Sequence, residues 1–261
     1  MHPSVRQVVL MRRGYSAEAS ALFARMTTQP DVTRKGAINT LIGALKTAGV
    51  WTKLDALYLL AAADAQSARL NWVQNAYNLS AVSSPTFLAD RGYTGDGASS
   101  YLDSGFDPTT APGAKFTQNS GSIGLWIGTD VSSSGQSDIG NSRSSINSRN
   151  TTTAVMTMNR SAGPSFTISP VTSVGLSSWS RRASTDAEGY KNGVSIGTEA
   201  TASSTLSVLY FFLLGRATTG NVLGSPSTRR SQAAFWGSGL TTAEHLALYN
   251  ALAAYMTAIG A

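Results

Sequence analysis

The feature that most constrains this chain is a change of texture after Asn75. Residues 76–261 hold 21 of the 25 glycines and 54 of the 64 serines and threonines, in short apolar stretches separated by turn residues. Glycine weakens helices and serves tight turns, so a segment written this way predicts many short antiparallel strands. Candidate strands lie at 122–129, 153–158, 174–182, 187–191, 194–198, 208–214 and 232–236. In the first, Ile123, Leu125 and Ile127 share one face by two-residue alternation. Asn192-Gly193, set between Lys191 and Val194, is a two-residue hairpin signal, because a type I′ turn needs positive φ at both positions.

Before Asn75 the pattern is helical. Leu22, Phe23 and Met26 fall on one face of a helix starting near Ser16, and Pro30 stops the run. Asp31 is placed to cap a second helix, in which Ile38, Leu41, Ile42 and Leu45 repeat at helical spacing and Gly49 follows the end. The apolar run at 54–63 has the length of a buried strand but the Leu and Ala content of a helix, and both readings stay open. Asp64 reads as the cap of a short helix ending near Asn71-Trp72. At the other end, Thr241 and Glu244 form a capping box, followed by a stripe of Leu248, Tyr249, Leu252, Tyr255, Met256 and Ile259. The expected organisation is an arm and helical attachment or oligomerisation segment over 1–75, then a β domain over 76–261. The expected fold is a mainly β, antiparallel β-sandwich with an N-terminal helical segment and a C-terminal helix.

Composition narrows the chemistry. With no cysteine, thiol nucleophiles, cysteine–zinc sites and disulfides are excluded. Charged residues are 13% of the chain, against about 25% in an average soluble domain, so hydroxyls rather than charges wet much of the surface. Of the net +6, residues 1–75 carry nine Lys/Arg against four Asp/Glu, and the rest eleven against ten. That distribution argues against a uniform nucleic-acid-binding surface. No run is long and apolar enough to span a membrane; Val8-Val9-Leu10-Met11, followed by Arg12-Arg13, is too short for a signal-peptide core. A chain without membrane insertion and not secreted by the usual route is the expectation.

Several motifs resemble a known family. Gly92-Tyr93-Thr94-Gly95-Asp96-Gly97 and Ser100-Tyr101-Leu102-Asp103-Ser104-Gly105-Phe106 resemble an early strand of laminin-G/concanavalin A-like jelly rolls. Gly189-Tyr190-Lys191-Asn192-Gly193 looks like their Y-x-N-G turn. Phe212 to Arg216, then Ala234-Phe235-Trp236-Gly237 and Leu240-Thr241 with the last helix, are similar to their closing sequence. The helical lead, from Leu22-Phe23-Ala24-Arg25-Met26 through Leu54-Asp55-Ala56-Leu57-Tyr58 to Leu70-Asn71-Trp72, resembles tailed-bacteriophage and prophage proteins in which it is fused to such a jelly roll. The resemblance implies a structural virion component: a head or tail fibre, spike or decoration protein made in the bacterial cytoplasm. Its implied partners are other virion proteins and further copies of itself, a trimer by preference, with host-surface polysaccharide as ligand. Fold alone does not decide function.

The residues offer few groups for catalysis. Asp186 and Glu188 sit at i and i+2 and share a strand face, as a glycosidase pair would, but no E-x-D-x-E run accompanies them, and exposed acids beside a hairpin is the simpler reading. Only His245, of the two histidines, lies in sequence expected to fold, and it reads as a partly buried structural residue. Gly92, Gly95 and Gly97 lack the Lys-Ser/Thr of a phosphate loop. Asp96, Asp103 and Asp107 are scattered without calcium-loop spacing. No catalytic residue, cofactor or metal site is therefore expected. Basic pairs Arg12-Arg13 and Arg34-Lys35 suit docking on a particle surface or plain solvation, and nucleic acid is not the expected partner. For ligand binding the candidates are Trp126, which alternates with Gly124 and Gly128 away from the apolar face, and Arg181-Arg182, beside which Arg229-Arg230 is a second such pair. Alternation points one arginine of each pair outward, and simple exposure is the competing reading.

Overall fold

The helix boundaries follow from their caps. In a computed structural model, which describes residues 14–261, Ser16 caps α1 (Ala17–Phe23). Asp31 accepts a 2.8 Å hydrogen bond from the Arg34 amide and opens α2 (Val32–Thr47), beyond which Gly49 turns at φ 72°. The Thr241–Glu244 capping box forms in full at the start of α3 (Thr242–Ile259), and Gly260 at φ 71° ends it. No helix of the described residues is long and apolar enough to cross a membrane. The arm before Gly14, with Val8 to Met11 and Arg12-Arg13, lies outside the described residues.

Two antiparallel sheets stack as a β-sandwich. The larger has eight strands and is centred on Gly121–Ile127, flanked by Gly175–Ala183 and Arg230–Gly237. Asp186–Lys191 and Val194–Glu199 continue it past Gly175–Ala183. Asn192 and Gly193, at φ 52° and 78°, make the expected hairpin between them. The other sheet has seven strands in the spatial order Ser165–Thr167, Thr153–Thr157, Ser145–Asn150, Ile139–Gly140, Phe212–Leu213, Tyr101–Asp103 and Ser80–Val82. The strand expected over 208–214 is cut to two residues, because the Asn221 side chain takes the Tyr210 amide at 2.8 Å in place of a neighbouring strand.

The run at 54–63 resolves as strand Leu54–Leu59, antiparallel to the 233–237 half of Arg230–Gly237, while Gly92–Thr94 pairs with Arg230 and Ser231 on the same edge. All six of its residues are buried. Its continuous apolar run follows from having both faces covered, which erases the alternation that would mark a strand. The front segment therefore contributes a strand to the sandwich itself.

Two-residue alternation divides the larger sheet into two buried faces. Ile123, Leu125, Ile127, Trp179, Trp236 and Tyr58 face the seven-stranded sheet and form the inter-sheet core. Leu57, Leu59, Leu176, Ala233 and Phe235 face the opposite way and join Leu41, Leu45, Leu248 and Leu252 in a second core beneath the helices. Gly124 lies on that helix-facing side, where a Cβ would come within 2.3 Å of the Phe235 ring and 2.8 Å of the Ser178 Cβ. The molecule is thus three layers: helices, eight-stranded sheet, seven-stranded sheet.

His245 sits at the seam between α3 and the larger sheet. It is fully buried, with Nδ1 3.0 Å from the Ser178 hydroxyl, Nε2 2.8 Å from the Ser180 hydroxyl, and its ring stacked 3.9 Å from Tyr190. A neutral imidazole meets both hydroxyls, one nitrogen donating and the other accepting. Burial pushes its pKa down to about 3, with Arg182 adding to the fall and Glu188 opposing it.

Two outcomes follow from this packing. A fragment of residues 76–261 lacks α1, α2 and the Leu54–Leu59 strand. It leaves side chains such as Leu176 and Phe235 open to water, at ~1.5–3 kcal/mol each. It should aggregate or unfold without a cooperative transition, and a soluble fragment melting like the full chain would contradict the three-layer account. For His245, the unfolded ring takes a proton near pH 6.5 but the folded ring only near 3. Stability is then full above 6.5 and falls as pH drops toward 3. In urea titrations, the wild type should lose about 2 kcal/mol more than His245→Gln between pH 7.5 and 5. Equal losses would overturn the buried neutral ring.

Candidate functional site

The structure does not bring the candidate ligand residues read from the sequence together in one cleft. Trp126 does lie on the side away from the inter-sheet core, but α3 covers that side, and its ring stacks on Tyr249 at 5.6 Å with the planes 6° apart. It is a half-buried helix–sheet contact, with one indole face taken up by the Tyr249 ring. Arg181 points inward: it is fully buried, with Nε donating to the Met158 carbonyl at 3.3 Å and Nη1 donating to the carbonyls of Thr201 and Ser184. Arg182, on the opposite parity, donates to both Asp186 oxygens at 2.8 and 2.9 Å and pairs with Glu188 at 2.9 Å. The second pair repeats the pattern, Arg229 being wholly buried and Arg230 donating to the Thr94 hydroxyl at 3.3 Å. Alternation correctly separates the two members of each pair; it does not show that the inward one is tied off by carbonyls or a carboxylate.

The Asp186–Glu188 pair is bridged by the Arg182 guanidinium. That hydrogen bond holds the Asp186 carboxyl below its ordinary range. Burial would raise Glu188, but hydrogen bonds from Ser195, Tyr190 and Arg182 outweigh it and keep it lowered too. Neither is a raised carboxyl able to donate a proton near neutral pH, as a glycosidase acid must. Asp96, Asp103 and Asp107 each accept amides of their own turns, at 2.8–2.9 Å. Among the described residues no three His, Asp or Glu gather at metal-ligating distance. Gly92 and Gly95 mark close backbone approach, since a Cβ would lie 2.0 Å from the Ser231 carbonyl oxygen and 2.3 Å from that of Ser227. Arg34 pairs with Asp90 at 2.8 Å and Lys35 lies 5.3 Å over the Phe23 ring, so both serve the helical layer.

A polar cleft lies elsewhere, on the outer face of the seven-stranded sheet. Ser145 pairs with Thr157 and Asn147 with Val155 across strands Ser145–Asn150 and Thr153–Thr157. Their neighbours Ile146, Ala154 and Met156 point into the core, so these four residues form an outward floor. One wall is the 134–137 loop; the other is the hairpin of Arg216–Thr218 and Val222–Gly224 with Ser225 beyond it. The open cleft has a volume of about 170 Å³.

Its walls are tied together from below. The Ser137 amide donates to the Ser225 carbonyl at 2.8 Å, and the Asn147 side chain donates to the Ser133 carbonyl at 2.9 Å. Beneath them Arg229 and Asp138 form a fully buried ion pair at 2.9 and 3.0 Å. Arg229 also donates to the Val131 and Arg149 carbonyls, while Asp138 accepts from the Ser227 hydroxyl at 2.7 Å and the Ser148 amide at 2.8 Å. A buried pair is retained at little cost only when its remaining valences are filled, as here.

The cleft can accept and donate many hydrogen bonds but, among the described residues, is lined by no aromatic ring and no carboxylate. Its one charge is Arg216. Sequence reasoning did not find it, because its parts lie at 134–137, 145–157 and 216–225. The signal that was present is the alternation of Ser145, Asn147 and Thr157 with Ile146 and Met156.

No protein family and no curated protein matches the chain. Solved structures do. The chain is similar to botulinum neurotoxin type C, in a structure described as showing cell entry dependent on interaction with two ganglioside molecules. The TM-score is 0.55 at 12% identity, over 79% of this chain and 53% of that one. It is similar to a mutant of Trypanosoma rangeli sialidase displaying trans-sialidase activity, with TM-score 0.55 at 8% identity, over 86% and 40%. It is also similar to the binding domain of Paraclostridial Mosquitocidal Protein 1, with TM-score 0.53 at 11% identity, over 77% and 53%. The chain therefore spans about half the length of these structures or less, and the shared feature is the β-sandwich fold.

Proposed function

We propose that this chain is a non-catalytic glycan-binding β-sandwich, carried in several copies as a structural component of a tailed-phage particle. The observation that carries the glycan reading is the cleft on the outer face of the seven-stranded sheet. Its preset hydroxyls and amides, Ser137, Ser145, Asn147, Thr157 and Ser225 among them, match a ligand made of hydroxyls. The dependence of botulinum neurotoxin type C cell entry on two ganglioside molecules supports the use of such a sandwich for saccharides. The phage reading is supported by the likeness of the helical lead and the jelly-roll motifs, and by the charge-poor, Ser/Thr-rich composition. A non-catalytic role is supported by the Arg182 bridge across Asp186 and Glu188 and by the burial of His245. A shallow cleft without an aromatic platform binds each sugar weakly, and multiple copies on one particle multiply that affinity. A trimer is the form proposed for such a component.

The test is an array of bacterial capsular and O-chain polysaccharides probed with multivalent protein, alongside mass spectrometry of purified particles. Binding to a subset of the polysaccharides is expected. Ser145→Trp, which fills the floor of the cleft, should abolish it, while Lys46→Ala on the helical layer should leave it unchanged. Peptides of this chain should be present in the particles. Silence across the array, or binding untouched by Ser145→Trp at an unchanged melting temperature, would overturn the glycan reading; absence from the particles would overturn the virion role.

A further inference from the structure

We propose that the cleft selects an acidic saccharide, holding the carboxylate of a uronic or sialic-type sugar on Arg216. This rests on the glycan reading and adds the charge of the ligand.

Arg216 stands apart from the other arginines. Arg34, Arg149, Arg160, Arg182 and Arg229 each face a carboxylate within 2.9 Å. Arg25, Arg69, Arg91, Arg143, Arg181 and Arg230 donate to carbonyls or hydroxyls. Arg216 has neither a hydrogen bond nor an ion pair with any described residue, and its Nε is buried without a partner. Every other described arginine has at least one carboxylate, carbonyl or hydroxyl partner, and in a molecule with few charges this one is left without any, at a cleft lined mainly by hydroxyls and amides.

The surroundings define what the open group can take. No carboxylate among the described residues lines the cleft, and its one lining charge is the Arg216 cation. The guanidinium fork matches a carboxylate in two parallel hydrogen bonds, and the flanking Ser137, Ser145 and Thr157 suit the hydroxyls of the same ring. Nucleic acid is disfavoured, since a phosphate backbone needs a row of cations; of the nearby arginines, Arg149 is tied to Asp130 and Arg143 to the Ser204 hydroxyl. A volume of about 170 Å³, below the ~300 Å³ of drug-sized pockets, fits one sugar of a chain.

The experiment titrates the full-length protein with two matched pairs. They are oligogalacturonate against its carboxyl-reduced neutral form, and sialyllactose against lactose. At least one acid should bind roughly tenfold or more tightly than its neutral partner. Arg216→Gln should remove that difference, leave neutral-sugar binding in place and keep the melting temperature; Arg216→Lys should restore part of it. Equal binding of acid and neutral forms, or a preference that survives in Arg216→Gln, would overturn the acidic ligand while leaving the glycan reading standing. No binding by any of the four probes would overturn the acidic ligand, and the polysaccharide array then decides the broader reading separately.

Discussion

The eight-stranded sheet is apolar on both faces, and the rest of the architecture answers to that. One face meets the second sheet through Ile123, Leu125, Trp179 and Trp236. The other presents Leu57, Leu59, Leu176 and Phe235, which no monomeric sandwich can leave in water. The helices at the two ends of the chain supply the cover, with α2 and α3 packed against each other above the sheet. Residues 17–47 and 242–259 thus belong to one layer although about two hundred residues separate them. With that side closed, the outer face of the seven-stranded sheet is the broad sheet surface left uncovered by helices.

The interior polar groups follow the same economy of charge. Arg229 and Asp138 neutralise each other beneath the cleft, and Arg181 donates from Nε and Nη1 to backbone carbonyls. Asp55 accepts the Lys115 and Phe116 amides at 2.8 Å each, which ties the front strand to the loop before the central strand; burial raises its carboxyl and those two amides lower it. Lys191, buried against the Ser173 carbonyl, is pushed down to about 8 by loss of water. These groups are consumed by structure, which leaves the proposed recognition to the neutral hydroxyls and amides of the cleft and to Arg216.

Much of the fold was legible because caps and alternation are local. Asp31, Gly49, Thr241, Glu244 and Asn192-Gly193 each act within a few residues of themselves, and each does what its chemistry predicts. What failed to read was anything set by a distant partner. Leu54–Leu59 hides its strand character because a helix layer and a second sheet bury both of its sides. Trp126 sits on the side that alternation assigns it, yet only α3, over a hundred residues later, supplies the Tyr249 ring that stacks on it. Arg181 and Arg182 look interchangeable in sequence, and the sheet sends one to internal carbonyls and the other to Asp186 and Glu188. Arg216 carries no local mark at all; it is distinguished by partners it does not have among the described residues.

The central claim is that the working surface is the outer face of the seven-stranded sheet, with the helical layer serving as cover. Amide hydrogen exchange of the protein with and without a bound polysaccharide reads this directly, because it reports on every backbone segment at once. Added protection is predicted in the 133–137 loop, in strands Ser145–Asn150 and Thr153–Thr157, and in the Arg216–Gly224 hairpin, with α2 and α3 unchanged. Protection confined to α2 and α3, or to the edge around Asp186 and Glu188, would contradict it.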